Sequence, residues 1–179
     1  MAIDTDRTFK PINIAILTVS DTRTPETDTS GDILEARASE AGHSVTHRLI
    51  VKDESSVLAD QISAWIKDPG IDAIVSTGGT GLTGRDVTPE ALDQVKATHN
   101  GKDIPGFGEL FRWLSFKTIG TSTVQSRALA IVAGGTYIFA LPGSNGAVKD
   151  GWDGILAEQL DSRNRPCNFI ELMPRLKEV

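Results

Sequence analysis

The sequence predicts an α/β fold: a three-layer α/β/α sandwich with a mostly parallel sheet and an antiparallel edge hairpin. Three observations point there. Short apolar runs alternate with helical stretches through the first half, in the order strand, helix, strand, helix, strand, helix. The third apolar run ends in a loop with four glycines, and such loops sit at the carboxyl ends of parallel strands in open α/β sheets. In the second half, Gly134-Gly135 separates two apolar runs, a two-residue hairpin signal.

The elements follow in order. Residues 1–11 read as a disordered arm, because they are polar and carry no periodicity. Residues 12–19 form a buried strand. The polar loop 20–30 has no apolar content, which marks a functional or a mobile connection. A helix from about 30 to 41 carries Ile33, Leu34 and Ala38 on one face, and Gly42 stops it. A second strand spans 44–51, with Asp53 in the loop after it. The next helix, 55–67, has the apolar stripe Val57, Leu58, Ile62, Trp65 and Ile66. Residues 73–76 are the third strand. Its glycine loop leads to a helix whose start is signalled by Thr88 and Pro89. An amphipathic segment at 109–116 follows Pro105-Gly106-Phe107-Gly108. The hairpin strands are 128–133 and 136–141. A last helix opens at Ser144, its expected N-cap, and runs to about 160. Residues 12–161 make one domain, with no repeat or linker. Residues 162–179 form a tail that packs on the domain or on a neighbouring subunit.

Composition bounds the function. The 179 residues suffice for one domain with a sizeable core, and 39% hydrophobic with 23% charged residues is ordinary for a globular protein. A net charge of −6 argues against nucleic acid as partner. The longest apolar run is too short to span a bilayer, and no targeting segment is visible, so membranes are excluded as partners and a cytoplasmic location is expected. The single cysteine, Cys167, cannot form an internal disulfide and has no histidine near it in sequence. His43, His47 and His99 are scattered and predict no zinc site.

The chemistry concentrates in the stretch from Ser76 to Glu90. Bare backbone N–H groups at Gly78, Gly79, Gly81 and Gly84 suit a phosphate or carboxylate. Arg85 adds a fixed charge and Asp86 a carboxylate able to hold magnesium. Two generic motifs overlap here. Gly79-x-Gly81-x-x-Gly84 matches the dinucleotide fingerprint, but Pro89 delays the helix and the next acids, Asp103 and Glu109, lie in a Gly/Pro-rich stretch rather than at the end of a strand. Gly79 and Gly84 also fit a P-loop, but Arg85-Asp86 stands where Lys-Ser/Thr should. Both are set aside in favour of a ligand loop for a phosphorylated compound, with a plain flexible connection as the alternative.

Four motifs in order then bring a family into view: Thr77-Gly78-Gly79-Thr80-Gly81; Arg85-Asp86-Val87-Thr88-Pro89-Glu90-Ala91; Pro105-Gly106-Phe107-Gly108-Glu109; and Leu141-Pro142-Gly143-Ser144. With Ser126-Arg127, they resemble the molybdopterin-binding family of molybdenum cofactor biosynthesis over residues 12–161. Residues 111–116, 119–123 and 165–169 resemble one branch of it rather than the sister branch of molybdopterin adenylyltransferases.

The resemblance implies a reaction: molybdopterin and Mg-ATP give adenylyl-molybdopterin and diphosphate. It implies Asp53 and Asp86 as catalytic carboxylates that hold Mg²⁺ on the nucleotide. It implies substrate contacts at Thr77, Gly78, Gly79, Thr80, Gly81, Arg85, Glu109, Pro142, Gly143 and Ser144, with Ser20, Asp21 and Arg127 as secondary candidates. It implies a homotrimer or homohexamer, with Trp113 and Phe116 as candidate contacts, and other molybdenum cofactor biosynthesis enzymes as partners. Each residue has a bland counterpart. Asp86 as a helix N-terminal charge, Asp53 as a solvated loop acid, Ser144 as a cap, Glu109 as a helix start and Arg127 as an ion-pair partner all stay open. So do two other functions: a non-catalytic molybdopterin-binding or carrier protein, and an unrelated nucleotide-binding protein.

Overall fold

A computed structural model describes residues 3–178. Its six-stranded sheet has the order β2-β1-β3-β6-β5-β4. The strands are β1 (Asn13–Val19), β2 (Ser44–Val51), β3 (Ala73–Thr77), β4 (Lys102–Asp103), β5 (Leu129–Ala133) and β6 (Thr136–Leu141). β2, β1, β3 and β6 run parallel. β5 is antiparallel to β6, and β4 to β5.

Alternation along the strands splits the core in two. Ile14 and Ile16 of β1, Val75 of β3 and Tyr137 and Phe139 of β6 face one layer of helices. Ala15 and Leu17, Ile74 and Ile138 face the other. The first layer holds α1 (Thr29–Glu40), α4 (Pro105–Ile119) and α5 (Asn145–Gly151), contributing Leu34, Phe111 and Val148. The second holds α2 (Ser55–Ile66) and α3 (Thr88–Thr98), contributing Leu58, Ile62, Leu92 and Val95. Strands buried on both faces are expected of a parallel sheet covered by helices. The three-layer α/β/α expectation therefore holds.

Four expectations need correction. The hairpin is not itself the edge. Gly134 and Gly135 both have positive φ, as a type I′ turn requires, but β6 lies inside the sheet and the two-residue β4 takes the outer position. Helix α4 starts four residues earlier than the amphipathic pattern indicates, because Pro105 is well placed at a first helical position. The last helix is interrupted after Gly151 by a π turn over Trp152–Leu156, before α6 (Ala157–Gln159) resumes. The amino-terminal segment, from residue 3 on, is not a free arm. Arg7 pairs with Glu171, Asp4 accepts from Arg165 Nε at 3.1 Å, and the Lys10 N–H donates to Ser162 Oγ at 2.9 Å. Its apolar side is covered too, since Phe9 packs against His43 in a tilted arrangement with ring centroids 5.3 Å apart. The tail packs on its own domain: Ile170 of α7 (Phe169–Leu172) is buried, and Tyr137 Oη donates to the Phe169 carbonyl at 3.1 Å. Met1, Ala2 and Val179 lie outside the described residues.

Candidate functional site

The parallel strands end at one rim, and their loops converge there. The Gly78 N–H donates to the Leu141 carbonyl at 2.9 Å, joining the ends of β3 and β6. Gly78 has φ +104, and a Cβ on it would lie 2.2 Å from the Val19 carbonyl at the end of β1. No other residue fits this contact without moving backbone. Thr77 Oγ1 donates to the Pro142 carbonyl at 3.1 Å, fixing the second glycine turn against the first.

These contacts shape a cleft of about 470 Å³ lined by Val19, Asp53, Gly78, Gly79, Thr80, Gly81, Arg85, Asp86, Pro142, Gly143 and Ser144. Ten residues singled out in the sequence thus share one surface. Thr77 lies just beneath it. Ser144 caps α5, accepting from the Ala147 N–H at 3.2 Å, so it is a cap and a cleft residue together. Thr80 Oγ1 is buried and has no hydrogen-bond partner. A buried hydroxyl without a partner is costly, which makes this one a candidate ligand contact.

The two carboxylates differ. Burial pushes the Asp53 carboxyl up, and the neighbouring Asp21 charge adds to this. Among the described residues Asp53 has no salt-bridge partner. Burial also raises Asp86, but it is outweighed: Oδ2 accepts from Thr83 Oγ1 at 2.6 Å and from the Thr83 N–H at 2.8 Å, which holds the carboxyl below its ordinary range.

Asp21 stands beside the cleft. It accepts from Arg85 Nε at 3.0 Å and from the Asp53 N–H at 3.3 Å, tying together the loops after β1, β2 and β3. Arg85 holds the Asp21 carboxyl below its ordinary value. Beyond it lies a larger groove of about 600 Å³, lined by residues 20, 21, 23–25 and 48–52. Ser20 accepts from the Thr22 and Arg23 N–H groups and shapes that loop.

Two candidates are elsewhere. Glu109 lines a separate groove beside Arg112 and Ala128–Ala130, so within this chain it does not reach the cleft. Arg127 lies behind the glycine loop, its donors taken by loop carbonyls and Glu90.

Two further residues brace these loops, Thr88 in a role other than the one expected. Thr88 is not the cap of α3; Val87 holds that position, and Thr88 Oγ1 instead donates back to the Gly78 carbonyl at 2.8 Å. Asp28 is buried: it caps α1 through the Gly31 N–H and accepts from Thr18 Oγ1 at 2.8 Å and Arg48 Nη2 at 3.1 Å. An aspartate three residues before Gly31 is an N-cap signal that the sequence did carry.

Among the described residues no group of three His, Cys, Asp or Glu side chains is placed to hold a metal. Asp53 and Asp86 alone suit a magnesium ion that arrives with phosphate oxygens, since that ion commonly takes one or two carboxylates.

A model of the family described as a probable molybdopterin binding domain matches residues 15–162. Molybdenum cofactor biosynthesis protein B of Escherichia coli K12 is 51% identical over 170 residues, covering 95% of this chain and 96% of that protein. The protein of that name from Staphylococcus carnosus is 42% identical, covering 85% of this chain and 88% of the other. The chain belongs to this family, in its protein B branch. A crystal structure of molybdenum cofactor biosynthesis protein B superposes with a TM-score of 0.83 at 37% identity, covering 95% of this chain and 98% of that one. The match over residues 15–162 takes in β1 from residue 15 on, every later strand to β6 and both glycine turns of the cleft. No helix of the described residues is long and apolar enough to cross a membrane.

Proposed function

We propose that this member of the molybdopterin-binding family binds molybdopterin and adenylylates it with Mg-ATP. The observation that carries the reading is one cleft holding two unlike carboxylates, the backbone of Gly79 to Gly81 and the unpartnered Thr80 hydroxyl. In the reaction a terminal phosphate oxygen of the pterin attacks the α-phosphorus of ATP. The bond from that phosphorus to the bridging oxygen breaks, and diphosphate leaves. Such a transfer needs positioning and charge neutralisation more than covalent help.

Residue roles follow from this. Asp53 and Asp86 hold the metal, which neutralises phosphate charge. The Gly79–Gly81 backbone and Thr80 Oγ1 donate to phosphate oxygens. Arg85 leaves its exposed pair with Asp21, worth little in water, for a phosphate of higher charge. Ser144 and the turn Pro142-Gly143 face the pterin phosphate. The adjoining groove, with Leu49, Val51 and Pro25 beside Arg23 and Lys52, suits the nucleoside.

A non-catalytic molybdopterin-binding or carrier role is the second reading. It predicts pterin binding without turnover. Both readings include assembly as a homotrimer or homohexamer. Leu110, Trp113, Phe116, Ile119 and Val124 are exposed together on α4 and the turn after it.

The test is to mix the protein with molybdopterin, ATP and Mg²⁺ and separate the products by chromatography. Adenylyl-molybdopterin is expected. Pterin binding without product would overturn adenylylation and leave the carrier role.

A further inference from the structure

We propose that Arg127 is a positioning residue that sets the geometry of the Asp86 loop from the side opposite the cleft, with Glu90 as its partner. This rests on the reading of the cleft as a Mg-nucleotide site.

The segment between β3 and α3 contains four glycines and no regular structure, so its own sequence gives it little rigidity. One limb is pinned by Thr88, whose N–H donates to the Gly79 carbonyl at 2.9 Å and whose hydroxyl donates to the Gly78 carbonyl. Thr83 and the Arg85–Asp21 pair hold the loop tip, and its carbonyls are gathered by a residue more than forty positions further on than Gly81. The Arg127 N–H donates to the Thr80 carbonyl at 2.9 Å. Its Nε donates to the Gly81 carbonyl and its Nη2 to the Asp86 carbonyl, both at 2.7 Å. Nη1 pairs with Glu90 on α3. One planar guanidinium therefore bridges both limbs of the loop and ties them to the helix. Lysine, a point charge without a fork, cannot hold these partners together.

The side chain does not line the cleft. It faces a hollow of about 380 Å³ behind the loop, with Leu82, Thr83 and Gly84. Glu90 neutralises the guanidinium, so an anion in the cleft has little hold on it. With the Asp86 carbonyl fixed by Arg127 and its carboxylate fixed by Thr83, the side chain is presented in one geometry. Partners behind a metal ligand commonly control affinity in this way.

Arg127→Lys and Glu90→Gln, made in the full chain, test this by hydrogen exchange and by the Mg²⁺ dependence of turnover. In Arg127→Lys, amide exchange of residues 80–87 is expected to speed about tenfold while β1 and β3 amides are unchanged. The Mg²⁺ concentration for half-maximal rate rises about 10–100-fold, with a smaller change in KM for ATP. Glu90→Gln shifts both readouts the same way by less. Loop exchange equal to wild type in Arg127→Lys would overturn the proposal. So would loss of protection throughout the chain in both variants, since Arg127 then only supports folding. Exchange is read without substrate, so absence of turnover in the wild type would overturn adenylylation alone.

Discussion

Burial and the Asp21 charge push the Asp53 carboxyl up, whereas Thr83 holds Asp86 down. The consequences for stability have opposite signs. A raised folded-state value means that Asp53 favours folding when protonated. That contribution is present below the unfolded value and lost as pH rises through the folded one. Ionised Asp53 therefore opposes folding at neutral pH, and Asp53→Asn is expected to raise Tm at pH 7. The gain fades as the solution is acidified through the ordinary carboxylate range, near about 4. The same variant loses metal-dependent turnover, so a thermal melt and a rate measurement on one protein check both halves. Asp86 contributes stability above its unfolded value and loses it as pH falls through its lowered one. The family resemblance singled out Asp53 and Asp86, and both line the cleft. Their environments were not legible, because Asp21 and Thr83 act through bonds that the linear order does not reveal.

At the scale of elements, the glycine loop is set by contact between the ends of three strands. Gly78→Ala adds a Cβ at 2.2 Å from the Val19 carbonyl in a left-handed conformation. A loss of about 2–4 kcal/mol is expected from strain plus overpacking, read as a fall in Tm. Strands, helices and the hairpin turn were readable from periodicity and from Gly134-Gly135. β4 was not, because two residues carry no pattern. The amino-terminal segment was misread for a similar reason. Its order comes from Arg7, Asp4 and Lys10 meeting Glu171, Arg165 and Ser162, more than 150 positions away in sequence. Glu109 lies on α4, which begins at Pro105, and lines another groove of this chain.

For the whole molecule, the exposed apolar side of α4 is the feature a lone chain does not explain. Trp113 is 58% and Phe116 55% exposed, which is unusual for aromatics of this size. We expect Trp113→Glu to weaken self-association by about 2–4 kcal/mol, the range of an interface anchor, and light scattering would register the fall in mass. Unchanged mass would place subunit contacts elsewhere. The fold and the convergence of the strand-end loops on one cleft were already implied by the order of elements, since open α/β sheets bind ligands at that rim. The central claim is that this cleft transfers an adenylyl group with Asp86 in the reacting site. The direct measurement is transfer of label from α-³²P-ATP to molybdopterin by wild type and Asp86→Asn at saturating Mg²⁺. The account predicts label on the pterin with diphosphate released, and a rate at least about 100-fold lower in the variant, whose fold is retained. Equal rates, or label that stays in ATP while the wild type binds the pterin, would contradict it.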